Sequence, residues 1–145
     1  MSIARELARF VTGTSVDALP PLALERARMA IASTIASAAM GADIVSSRII
    51  RELAKERGGA PEATVWFDGG ATLPVADGAR VNAVMSDAAA SDDSDLRSIA
   101  HIGTIVSTTA IAMAERTGVA ATCSPRWCSA TRSRGARSSR SRRHR

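Results

Sequence analysis

The sequence predicts an all-α helical bundle with one short extended segment and a disordered basic tail. Three observations carry that expectation. The chain has 145 residues, enough for one domain with a real core. It is 46% hydrophobic but only 3% aromatic, so the core must be built from small and aliphatic side chains. That favours closely packed helices over a sandwich or barrel. Finally, its apolar residues recur at helical spacing in segments punctuated by Pro and Gly.

The elements follow in order. Ile3, Leu7, Phe10 and Val11 share one face of a helix over 3–12 that Gly13 ends. Pro20-Pro21 opens a second helix, because a first-turn proline loses no hydrogen bond there. It runs to about Met40, with Leu24, Ala27, Ile31, Ile35 and Ala38 in one stripe and Gly41 as the stop. Its many Ala and Ser residues allow neighbours to come close. A third helix, 46–57, is expected to bury Ile49, Ile50 and Leu53 before Gly58-Gly59. The period then changes: Thr64, Val65, Trp66 and Phe67 read as an extended run closed by an Asp68-Gly69-Gly70 turn. Pro74 restarts a helix carrying Val75, Ala79, Val81, Met85 and Ala88 to about Ala90. A polar interval, 91–100, separates it from a last helix over 104–116, which Gly118 stops.

The net charge of +5 is unevenly placed. Residues 121–145 hold 8 Arg and no acid; taking those 8 from the 19 basic residues leaves 11 against 14 acids in 1–120, a body of −3. The chain therefore divides at about Val119, into a helical domain over 1–119 and a Ser/Arg-rich tail over 120–145 without apolar period. One reading of the tail is a basic arm that contacts nucleic acid weakly through phosphates. The favoured reading is the out-of-frame translation of a GC-rich gene. Cys123 and Cys128 make a poor zinc site, with no His or Cys at ligand spacing, and an unconvincing disulfide. Arg5, Glu6 and Arg9 rule out a signal peptide, and the apolar stretch from Met29 to Ala42 is too short to span a bilayer. A cytoplasmic protein without membrane contact is expected.

The chemistry concentrates in "SDDSDLRSIAHIG", residues 91–103. Three carboxylates, a hydroxyl, an arginine and His101 crowd together here, and the only other histidine is His144. His101 sits just before a helix N-terminus, whose free N–H groups attract carboxylates and disfavour imidazolium. Nearby aspartates pull the other way. Arg97 is suited to clamp a substrate carboxylate in bidentate fashion, Ser94 to bond a hydroxyl or carboxylate, and Asp92 and Asp93 to orient His101 or share a proton. The bland alternatives are a capped or solvated loop for the aspartates, a turn for Ser94, a surface ion pair for Arg97 and a plain helix-start residue for His101. Asn82, inside a helix, reads as a buried hydrogen-bonding group between helices, and Trp66 as core packing.

Several stretches together resemble the N-terminal part of the MmgE/PrpD family, which includes 2-methylcitrate dehydratase and cis-aconitate decarboxylase. They are "LARFVTG" (7–13), "LPPLALERARMAI" (19–31), "PEATVWFDGG" (61–70), "LPVADGARVNAVMSDA" (73–88) and "DDSDLRSIAHIGT" (92–104). The resemblance implies an all-α domain normally followed by a smaller α/β domain. It also implies a homodimer and proton transfer next to a carboxylate of a small di- or tricarboxylate, by dehydration, decarboxylation or epimerisation. No cofactor or metal is implied. It casts His101, Asp93 and Asp92 as catalytic and Ser94 and Arg97 as substrate-binding, with Ser94 standing where Thr is usual. Two features depart from the family: Ala90 stands where an active-site Asp is common, and the spacing from hydroxyl to histidine is one residue longer than in the dehydratases. The family's further His and Lys groups have no counterpart, since no lysine follows Lys55. The chain is therefore expected to be a truncated member, inactive or impaired alone. The competing expectation is a non-catalytic helical dimerisation module.

Overall fold

The computed structural model describes residues 2–95 and 99–118. Among them lie α1 (Ile3–Gly13), α2 (Pro21–Gly41), α3 (Val45–Arg57), β1 (Ala63–Thr64), β2 (Thr72–Leu73), α4 (Val75–Ala88) and α5 (Ile102–Thr117), with a 3₁₀ turn over Val16–Ala18. The expected all-α architecture is the observed one. The tail beyond Gly118, with Cys123, Cys128 and His144, lies outside the described residues, as does Arg97.

The punctuation works as the residue chemistry requires. Pro21 occupies the first turn of α2, and Gly118 closes α5 in the left-handed conformation, at φ 71°. α2 and α3 meet at a bend of 94°, and no single helix among the described residues is long and apolar enough to cross a membrane. The extended run is shorter than expected. Only Ala63 and Thr64 pair, antiparallel with Leu73 and Thr72, while Trp66 and Phe67 already belong to the turn. Phe67 has φ 57°, which a strand cannot accommodate.

α4 is the centre of the bundle, packing on α2, α3 and α5. The core consists of Ala38, Ala42, Ala54, Val65, Leu73, Val81 and Met85, with Ile50, Trp66 and Ala71 packed against it. The helix faces turned inward are unusually small and polar: Thr34, Ser37 and Ala38 on α2, Ser86 on α4, and Thr104, Ser107, Thr108 and Ala112 on α5. Two of these hydroxyls turn back on their own helix. Thr34 Oγ1 donates to the Ala30 carbonyl at 2.9 Å, and Thr108 Oγ1 to that of Thr104 at 2.6 Å.

Large apolar residues are often left outside. Ile49 and Leu53, expected to be buried, are exposed, because α3 turns Ser47, Ile50, Arg51 and Ala54 inward instead. α1 buries nothing, although Ile3, Leu7, Phe10 and Val11 do line one face.

The β segment is held by side chains rather than by a wide sheet. Asn82 spans it, Nδ2 donating to the Thr64 carbonyl and Oδ1 accepting from the Trp66 N–H, both at 2.9 Å. Asn82 is thus buried and bonded as expected, but to the strand rather than to another helix. Glu115 accepts the Thr64 N–H at 2.6 Å, and Glu62 accepts the Val75 N–H at the start of α4 at 3.0 Å. Asp68, in the middle of the turn, lies 3.0 Å from Lys55 Nζ and 3.7 Å from Arg51 Nε.

The Asp68 carboxylate, through its bond to the ammonium, raises the pKa of Lys55 against the opposing pull of desolvation. A raised lysine pKa gives stability that is complete below the ordinary lysine value and lost as pH climbs through the raised one. Stability should therefore fall at the alkaline end. Lys55→Met should flatten that limb of a denaturant titration across pH 9–12, while an unchanged limb would assign the alkaline loss elsewhere.

Candidate functional site

The site forms where the end of α4, the loop over 89–101 and the start of α5 meet. α4 ends at Ala88, and Ala90 turns the chain in the left-handed conformation, at φ 49°. That geometry costs an alanine about 1 kcal/mol and suits Asp or Asn better. The loop closes on itself through the Asp95–Ala100 bridge, whose Asp95 N–H donates to the Ala100 carbonyl at 3.0 Å. His101 then sits at the N-cap position of α5.

The two adjacent aspartates do different things. Asp93 reaches over the end of α5, and both its carboxylate oxygens accept the Gly103 N–H at 3.0 Å. A side chain at position 103 would collide with that carboxylate. One of the helix-end N–H groups expected to attract a substrate anion is thus already satisfied by the protein's own anion. Asp92 turns inward, its side chain only 3% exposed. Its Oδ2 accepts from Thr104 Oγ1 at 2.9 Å and lies 2.7 Å from His101 Nδ1. That second approach is an ion-pair distance, off the line of an aligned hydrogen bond. Thr104 Oγ1 is itself 3.0 Å from Ser86 Oγ on α4.

His101 is oriented accordingly. Nδ1 is buried, yet the side chain as a whole is 42% exposed, so other atoms of the side chain carry the exposure. Asp87, in the last turn of α4, places Oδ1 4.0 Å from Nδ1. The ligand atoms of Asp87, Asp92 and His101 lie within 4.8 Å of one another, making this the set among the described residues that could accept a cation.

The structure therefore brings His101 and Asp92 into direct contact, places Asp93 on the helix end and leaves Ser94 exposed. Asp87, Ser86 and Thr104 are members that the linear pattern did not single out. Asp87 and Ser86 read as the last turn of an amphipathic helix, and only the packing of α4 on α5 gives them a partner.

The sequence matches the MmgE/PrpD N-terminal domain over residues 5–131. The chain belongs to the MmgE/PrpD family. The match runs past the boundary expected at residue 119, into the tail. No curated protein and no solved structure matches the chain. Within this MmgE/PrpD domain the histidine and paired aspartates of the family resemblance fall at one place in space, at the junction of α4 and α5.

Proposed function

We propose that this MmgE/PrpD domain carries the general-base half of a site that moves a proton next to a carboxylate of a small di- or tricarboxylate. The observation that carries the reading is the buried Asp92 carboxylate held 2.7 Å from Nδ1 of a His101 ring that is otherwise partly open to solvent. A carboxylate against one ring nitrogen holds the proton there and leaves the other nitrogen's lone pair free. Nε2 takes the proton from the carbon beside the substrate carboxylate, and the C–H electron pair is delocalised into that carboxylate. The pair then expels a neighbouring hydroxyl in a dehydration, or recaptures a proton on the opposite face in an epimerisation. In a decarboxylation the direction reverses, and protonated Nε2 delivers its proton to the carbon that CO₂ leaves. Arg97 and Ser94, one or both, hold the substrate carboxylates in this reading. No step requires a cofactor.

The test is exchange of the α-proton of 2-methylcitrate or cis-aconitate into D₂O, followed by NMR with the purified chain. Exchange above buffer background, falling by about 10²–10⁴ in His101→Ala, is expected of a positioned base. Exchange that survives His101→Ala at the wild-type rate would remove His101 from the chemistry.

A second reading, a helical self-association module, is favoured by a separate observation. Ile3, Leu7, Phe10 and Val11 on α1 lie uncovered, as do Val45, Ile49 and Leu53 beside a shallow groove on α3. A homodimer would cover such faces. The two readings are compatible, because the apolar faces named do not include His101.

A further inference from the structure

We infer that Ser86 and Thr104 form a directional hydroxyl relay that holds Asp92 in place, and so fixes which ring nitrogen of His101 carries the proton. The inference rests on the proposed role of His101 and deepens it. The relay crosses three elements: Ser86 on α4, fully buried; Thr104 on α5, 5% exposed; and Asp92 in the loop between them.

Its direction follows from counting protons. An ionised carboxylate only accepts, so the single hydroxyl proton of Thr104 is committed to Asp92 Oδ2 at 2.9 Å. The 3.0 Å contact between Ser86 Oγ and Thr104 Oγ1 must then be made by the Ser86 proton. The same Oδ2 faces Nδ1 at 2.7 Å, where an unprotonated nitrogen would set its lone pair against a carboxylate. Nδ1 therefore carries a proton, and Nε2 is the acceptor.

Thr104 is unlike the neighbouring hydroxyls of its helix. Thr108, Thr109 and Thr117 all donate to the carbonyl one turn back, whereas Thr104 donates across the seam to Asp92. In the first turn of α5, Thr104 has no helical carbonyl one turn back, since Ala100 lies in the loop and accepts the Asp95 N–H; its hydroxyl is free to serve Asp92. Among the described residues, the charged groups facing the imidazole are Asp92 from the loop and Asp87 from α4, with Asp93 engaged on the Gly103 N–H. Of these, Asp92 is the one the relay holds. Ser86 and Thr104 are accordingly positioning residues.

The experiment is long-range ¹⁵N–¹H NMR of the full chain, which distinguishes the two imidazole tautomers, with the signals of the second histidine, His144, assigned by its substitution. In the wild type above its titration range, His101 should show a protonated Nδ1 and an unprotonated Nε2. Thr104→Val, nearly the same volume, should move the His101 pattern toward the tautomer mixture of a free imidazole, and Thr104→Ser should restore it. Ser86→Ala should produce a smaller shift in the same direction. In the proton-exchange assay Thr104→Val should lower kcat about tenfold with KM little changed, since a misaligned base weakens the step and not binding.

A folded Thr104→Val or Ser86→Ala protein whose His101 signals match the wild type overturns the relay, whatever the activity. A fixed Nδ1–H tautomer that responds to both substitutions, in a protein without exchange activity, upholds the relay and sinks only the base role.

Discussion

Replacing Gly41 with alanine should lower the melting temperature by about 10 °C or more. Gly41 is the last residue of α2, fully enclosed against α4. A Cβ there runs into the backbone carbonyl of Met85 and also meets the Ala88 side chain. A flexible side chain could swing aside, but a backbone carbonyl in the last turn of α4 cannot move without shifting the helix itself. The helices must separate, and α2 against α4 is the broadest packing in the bundle. Overpacking of this kind costs about 1–3 kcal/mol, more where backbone is the obstacle. In a domain of this size each kcal/mol shifts the midpoint by several degrees. Gly13→Ala is the control: it is also helical, yet a Cβ there meets nothing within 4 Å. It should be neutral or slightly stabilising. Equal melting of Gly41→Ala and wild type, measured by circular dichroism, would mean that α2 and α4 are not so closely apposed.

The second large effect is expected at Asn82. Its amide replaces a missing neighbour strand, satisfying the Thr64 carbonyl and the Trp66 N–H while only 2% exposed itself. Asn82→Leu keeps the volume but strands both backbone groups away from water. Each costs about 1–3 kcal/mol when left unpaired, so a loss of about 3 kcal/mol is expected in urea titration. Asn82→Asp keeps the acceptor for Trp66 but removes the donor to Thr64 and adds a buried charge, and should be no better. Faster hydrogen exchange of the Trp66 amide should accompany both. A Leu variant as stable as wild type would show that the β segment is held by Glu115 and the core alone.

Much of the helical plan was legible because its signals are local. Pro21 and Gly118 act through their own φ angles, and the expected helix limits fall within a few residues of the observed ones. The misreadings share one cause. Trp66 and Phe67 have strand-forming side chains, but Phe67 adopts φ 57° because the turn after β1 begins earlier than the Asp-Gly-Gly triplet suggests. Ile49 and Leu53 read as core by hydrophobicity, yet α3 turns its smaller Ala54 and Ser47 inward, where α4 lies close. At the site, His101 and its paired aspartates stood out as an unusual cluster. Which aspartate met the imidazole did not, since Asp92 and Asp93 are chemically identical neighbours whose side chains leave the loop in different directions.

By itself, then, the order of residues determined the family, the helical class and the segment in which the chemistry gathers. Each depends on periodicity, on backbone restrictions of single residues or on a run of thirteen. Tertiary structure decided the rest: that Asp93 seals a helix end, that Asp92 faces Nδ1, and that Ser86 reaches Thr104 from 18 positions away. Such pairings depend on how closely α4 approaches α5 and on the rotation of each about its axis, quantities that no local pattern encodes.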